Sequence, residues 1–200
     1  MLIKNLGPQV ERVWEGLRPN TKRLLAGALK SGNPLPAKAQ PSNYNYDAHA
    51  DWELSRLLAA LDERTRSKTG ASDAAELAET CARILEEQSG SAEVFIQLAT
   101  RAIAQADYDR LEKMADRLFE RFSAGEIAEV VRQTELPQIR AIAFETLSML
   151  PVELIEPLLG DPLYANIAAN ALEQKAFEYD SEEARDVLER FEDGEDSSGN

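Results

Sequence analysis

The chain has a single cysteine, a single histidine, few glycines and prolines, and no apolar run approaching the length of a membrane span. Each shortage excludes something. Cys81 alone cannot build an internal disulfide framework, and with no secretory apolar segment after Met1 the expectation is a reducing, cytoplasmic setting. His49 alone removes every metal site that needs two imidazoles and most catalytic designs that need a base poised near neutral pH. A di-iron helical bundle needs two Glu-x-x-His pairs, and the chain has none. It also lacks a phosphate-binding GxxxxGK[ST] loop, a G-x-G-x-x-G turn, a nucleophile elbow and a calcium loop. No catalytic, cofactor-binding or metal-binding residue is assigned, and no cofactor is expected.

What is present is the vocabulary of helices. Ala, Leu, Glu, Arg and Asp dominate between grouped breakers, and β-branched runs are nearly absent. Two hundred residues, 44% of them hydrophobic, suffice for one substantial core. The formal charge of −14 argues against the whole surface docking on nucleic acid. Residues 1 to 40 nevertheless hold seven basic side chains against Glu11 and Glu15, so this end is +5 and the rest is −19.

Ile3, Leu6, Val10, Val13 and Leu17 line one helical stripe, interrupted at Gly7-Pro8. The spacing predicts a first helix from Pro8 to about Arg18 and a second from Thr21 to about Lys30, together a basic helical hairpin over residues 1–32. A Pro-containing linker then spans 33–46. From 47 to 191 the apolar residues recur at i, i+3, i+4 and i+7. Leu54, Leu57, Leu58 and Leu61 set the pattern; Leu77, Ala78, Cys81, Ile84 and Leu85 continue it, then Phe95, Leu98, Ala99 and Ala102, then Leu111, Met114, Ala115, Leu118 and Phe122. Cys81 on such a stripe reads as a small buried thiol. Ser72, Ser91, Asp107 and Ser123 read as N-caps, the last with Glu126 as a capping box, and Ser181 opens a last helix ending near Phe191. Residues 192–200 read as an acidic disordered tail. Short connections make neighbouring helices antiparallel, so the expected fold is all-α, built of stacked antiparallel helical hairpins.

A shift of 25 residues lays Pro137, Ile139, Ile142, Ala143 and Leu147 onto Pro162, Tyr164, Ile167, Ala168 and Leu172, each segment following a shorter helix. The run Leu136-Pro137-Gln138-Ile139-Arg140-Ala141-Ile142-Ala143 resembles the second-helix signature of HEAT repeats, a branched residue before a basic one with Ala three on. It departs in repeat length, in Thr134 where the family usually has Asp, and in Ala165 where the second copy has no basic residue. Ala106-Asp107-Tyr108-Asp109 is similar to the turn of a tetratricopeptide repeat, without that family's Trp, Gly and Tyr positions in the first helix. Both resemblances imply an α-solenoid of stacked hairpins presenting a concave surface to protein partners.

Two clusters are candidate partner-binding sites. The first is Arg12, Trp14, Arg18, Lys22 and Arg23 in the basic hairpin, which either docks as an ordinary amphipathic pair on neighbouring acidic helices or grips an anionic partner. The second is Asn166 and Asn170, one turn apart beside the core face of their helix, with Glu173, read as lining a polar groove for extended backbone. His49, between Asp47 and Asp51, reads as solvated. The leading expectation is a non-catalytic protein–protein recognition or scaffolding module whose partner is another protein or a second copy of itself. A nucleic-acid-associated or regulatory role for the basic hairpin comes second, and a helical enzyme or metal-carboxylate protein third.

Overall fold

The structure is a computed structural model, and it describes residues 6–31, 46–67 and 71–198. It is all-α: no strand occurs among the described residues. The chain divides into two compact units, residues 1–89 and residues 90–200.

The first unit holds α1 (Pro8–Gly16), α2 (Pro19–Ser31), α3 (Ala48–Arg66) and α4 (Ala71–Gln88). Its centre is the pairing of α3 with α4, where Leu54, Leu57, Leu58 and Leu61 meet Leu77, Ala78, Cys81 and Leu85, all buried. α1 packs on α3, while α2 packs on α4 and α3. Leu6, Val10, Leu17 and Leu25 supply the apolar faces that drive this docking. Burial of each such side chain is worth about 1.5–3 kcal/mol. The two N-terminal helices are thus walls of this unit. The proline-containing segment, 33–46, lies outside the described residues except for Tyr46, as does Ile3.

Local chemistry fixes the helix ends. Gly7 sits at φ 100°, a left-handed conformation suited to glycine, and hands the chain to Pro8 at the first position of α1. α2 begins at Pro19, two residues earlier than the spacing predicts, because proline is tolerated in a first turn. α4 already runs from Ala71, so Ser72 lies inside its first turn instead of capping it.

The second unit holds α5 (Ala92–Ala104), α6 (Tyr108–Arg121), α7 (Ala124–Gln133), α8 (Pro137–Met149), α9 (Val152–Ile155) continued by a 3-10 turn (Glu156–Gly160), α10 (Ala165–Glu178) and α11 (Glu182–Ser198). α5 packs on α6 and α7, α6 on α8, α7 on α8, α8 on α10, and α10 on α11. Its core includes Phe95, Leu98, Leu118, Ile127, Ile139, Leu147, Ile155 and Leu172. Phe95 and Phe122 meet edge to face at 5.8 Å.

Asp107 and Ser123 cap α6 and α7, accepting from the Arg110 and Glu126 N–H groups at 3.2 Å each. The capping box at Ser123 is only half made. Glu126 does not reach back to its own cap; its carboxylate accepts the Ala92 N–H at 2.7 Å and so caps α5, whose N-cap residue Ser91 makes no side-chain cap bond. The 25-residue repetition is likewise displaced at its second start: Asp161 holds Leu163, Tyr164 and Ala165 in a turn, so α10 begins at Ala165 and not near Pro162. The last helix continues to Ser198, beyond Phe191, across the stretch read from sequence as a disordered tail.

Candidate functional site

The basic helices come first because their charges are the strongest sequence signal. Arg18 is engaged within its own unit. Its guanidinium makes two bonds to Asp47, at 2.7 and 3.0 Å, and Nε donates to Glu53 Oε2 at 3.1 Å. The Arg18 backbone N–H donates to Glu53 Oε1 at 2.7 Å, and the Thr21 hydroxyl donates to Glu53 Oε2. Glu53, only 4% exposed, therefore closes the start of α2 from a distance. Burial by itself would raise its pKa. The Thr21 hydroxyl and the two Arg18 donors outweigh that and hold Glu53 below the ordinary carboxylate value. Asp47 is lowered too, first by the Arg18 guanidinium and then by the Ala50 N–H that it caps. The same locality buries Tyr46, whose hydroxyl donates to Asp51, and both effects push its pKa up. The second Asp51 oxygen accepts from Ser89 at 2.9 Å. This corner is structural.

The other basic-hairpin candidates scatter. Lys22 Nζ lies 6.0 Å from the Trp14 ring centroid and 3.3 Å from the Glu15 carbonyl oxygen. Arg12 and Arg23 are exposed, and His49 is exposed as expected. Cys81 is fully buried.

In the second unit, Asn166, Asn170 and Glu173 form one exposed stripe along α10, opposite the buried Ala168, Ala171, Leu172 and Ala176. The stripe ends on Phe177, 89% exposed. These residues share a face with one another, but none of them lines either cleft described next.

A polar cleft of about 430 Å³ lies at the starts of α5 and α7 and includes Glu93, Glu126, Glu129 and Tyr164. Two of its acids already have work. Glu126 caps α5, and Glu129 takes Arg132 through two bonds at 2.5 and 2.6 Å, the Gln133 amide, and the Tyr164 hydroxyl at 3.0 Å. The Arg132 bonds foremost, against an opposing effect of burial, bring Glu129 down to about 2. Tyr164 moves the other way, raised first by its bond to Glu129. A carboxylate so held is ionised at neutral pH and cannot serve there as a proton donor. No group of three or more potential metal ligands occurs among the described residues.

A second cleft, an apolar groove of about 290 Å³, lies between α6 and α8. Ala115 and Phe119 line it from α6, and Ile142, Thr146 and Met149 from α8. Phe119 is 45% and Met149 50% exposed, large apolar side chains left half uncovered side by side. Asp116 and Glu120 stand on one wall and Glu145 on the other, with no basic residue in the lining. Those three acids form no ion pair among the described residues. The setting is acidic as a whole. Residues 1–89 hold twelve basic and twelve acidic side chains, whereas 90–200 hold ten basic against twenty-four acidic, so the second unit accounts for the entire −14.

Sequence reasoning missed both Glu53 and this groove. Glu53 did carry a signal: at i+3 from Ala50 and i−4 from Leu57 it shares their buried face, where an acid is out of place. The groove carried less. Phe119 directly follows the core residue Leu118, and sequence alone does not say that α8 leaves Phe119 half covered.

Comparison with known proteins returns no matching family model, no matching curated protein and no matching solved structure.

Proposed function

We propose that this chain is a non-catalytic protein-recognition module, built of helical hairpins, that receives its partner in the α6–α8 groove of the second unit. The observation that carries this reading is the pair Phe119 and Met149, which line a concave strip and keep about half of their surface in water. Apolar surface gathered in a groove gains free energy from being covered, at about 25 cal/mol per Å². The polar cleft favours catalysis less, since Glu126 and Glu129 are consumed in a cap and an ion pair.

The test is site-specific photo-crosslinking in extract of the source cells, with a benzoylphenylalanine placed at Phe119 or, as control, at Arg121, exposed on the side of α6 away from Phe119. A discrete adduct at position 119, competed by wild-type chain but not by Phe119→Ala/Met149→Ala chain, is expected. Equal labelling from both positions would remove the groove from consideration.

A nucleic-acid role for the N-terminal helices is the second reading, favoured by the exposure of Arg12 and Arg23 and by the Trp14–Lys22 pair. It has lost Arg18 to Glu53 and Asp47. Under it, a mobility shift at low salt weakens steeply between 50 and 200 mM salt, roughly in proportion to the number of phosphates neutralised.

A further inference from the structure

We infer that the occupant of the α6–α8 groove is a basic amphipathic helix, about two turns of which are buried, from a protein other than this one. This rests on the reading of that groove as a docking surface and adds what chemistry docks there.

Three observations select a helix and its charge. The α8 wall runs from Ile142 through Thr146 to Met149, a seven-residue span of about 10 Å at 1.5 Å per residue. An incoming helix covers that length with apolar residues at i, i+3 or i+4, and i+7. The groove also has no backbone-reading groups on its floor. Thr146, its one hydroxyl, is buried and donates to the Ile142 carbonyl oxygen at 2.7 Å, so it presents a methyl group. An extended peptide would lose hydration of its N–H and C=O groups there without compensation, whereas a helix satisfies its own.

Charge sets the flanks. Asp116 and Glu120 on one wall and Glu145 on the other lie where the borders of a docked helix would run, in a unit of net charge −14. Lys and Arg on both borders of the incoming apolar stripe complement those walls, and their aliphatic stems extend the apolar contact. A second copy meeting groove to groove would set the same three acids against themselves. The chain's own basic helix α2 is also unsuited, since its apolar face of Leu24, Leu25 and Ala28 is buried within the first unit.

The experiment selects from a displayed library of helical peptides, using the full chain as bait and the Phe119→Ala/Met149→Ala chain as counter-bait. Both substituted side chains are half exposed, and circular dichroism verifies that the variant keeps its helix content. The expected consensus has three apolar residues at the stated spacing, bordered by Lys or Arg. Anisotropy with a selected peptide should show about a tenfold loss on Phe119→Ala/Met149→Ala and about a fivefold loss at low salt on Asp116→Asn/Glu120→Gln/Glu145→Gln, the latter vanishing at high salt. A consensus with acidic or neutral borders, or undiminished binding by the neutralised chain, overturns the basic occupant while leaving the groove as a docking surface. Enrichment of the same peptides on the counter-bait, or of none on the wild type, overturns both. A concentration-dependent dimer in sedimentation, lost on Phe119→Ala, would assign the groove to a second copy and overturn the inference.

Discussion

Arg18 and Glu53 illustrate how one buried acid changes the meaning of a basic cluster. Arg18 counted as surface charge in the sequence; in the structure its backbone N–H, its Nε and the Thr21 hydroxyl all converge on Glu53. Removing only the acid leaves the buried Thr21 hydroxyl without its acceptor, and a buried donor so orphaned costs about 1–3 kcal/mol. Glu53→Ala should therefore lower the denaturant midpoint, whereas Arg23→Ala, an exposed change on α2, should leave stability within about 0.5 kcal/mol. Backbone strain makes the opposite prediction at Ala106, which sits at φ 54° where the chain turns between α5 and α6. A left-handed alanine costs roughly 1–2 kcal/mol, part of which glycine returns as extra freedom of the unfolded chain. Ala106→Gly is thus expected to be neutral or to stabilise by up to about 1 kcal/mol. Gly7→Ala, at φ 100°, should destabilise by about 1 kcal/mol or more in the same urea titration.

Elements show where pattern reading works. Periodicity located α3, α4 and α5 because their buried faces, such as Leu77, Ala78, Cys81, Ile84 and Leu85, are continuous apolar stripes that any covering helix would select. Which helix does the covering is not written in the stripe. α1 and α2 read as a hairpin that either docks on its neighbours or grips a partner, and the pattern names no surface for it; in the structure each packs on α3 or α4. Glu126 is a similar case: its spacing from Ser123 announces a local box, but tertiary contact turns its carboxylate to α5. The candidate site depended still more on such contacts, since Phe119 and Met149 become a groove only when α6 meets α8.

This affects how the N-terminal helices are to be tested. Deleting residues 1–31 should strip cover from α3 and α4 and lower the melting temperature, so lost binding in that truncation would not identify a site. Arg12→Ala/Arg23→Ala preserves the packing and is the informative variant. Between elements, Glu129 joins α7 to the start of α10 through Tyr164, with a folded-state pKa near 2 against an ordinary value near 4.5. A depressed carboxylate contributes stability that is complete above the unfolded value and lost as the pH falls through the folded one. Acid unfolding followed by circular dichroism should steepen between about pH 4.5 and 2, and Glu129→Gln should flatten that part of the profile.

At the scale of the whole molecule the division at Ser89 and Gly90 separates two different charge regimes. The first unit balances twelve acids with twelve bases; the second holds the full −14 and retains its own apolar core from Phe95 to Leu172. A compact unit with its own core can fold alone when it reaches this size. Residues 1–89 and 90–200 made as separate chains should therefore each give a helical spectrum and a cooperative melt. Their response to salt should differ. Self-repulsion within the second piece weakens as added salt shortens the screening length from about 10 Å at 0.1 M to 3 Å at 1 M, so its melting temperature should rise by several degrees. The neutral first piece has no such repulsion to relieve, and screening of Arg18 against Asp47 should move it slightly the other way. If the pieces melt identically across that range, or if either is unfolded alone, the charge division has no energetic counterpart and the two units depend on one another for their stability.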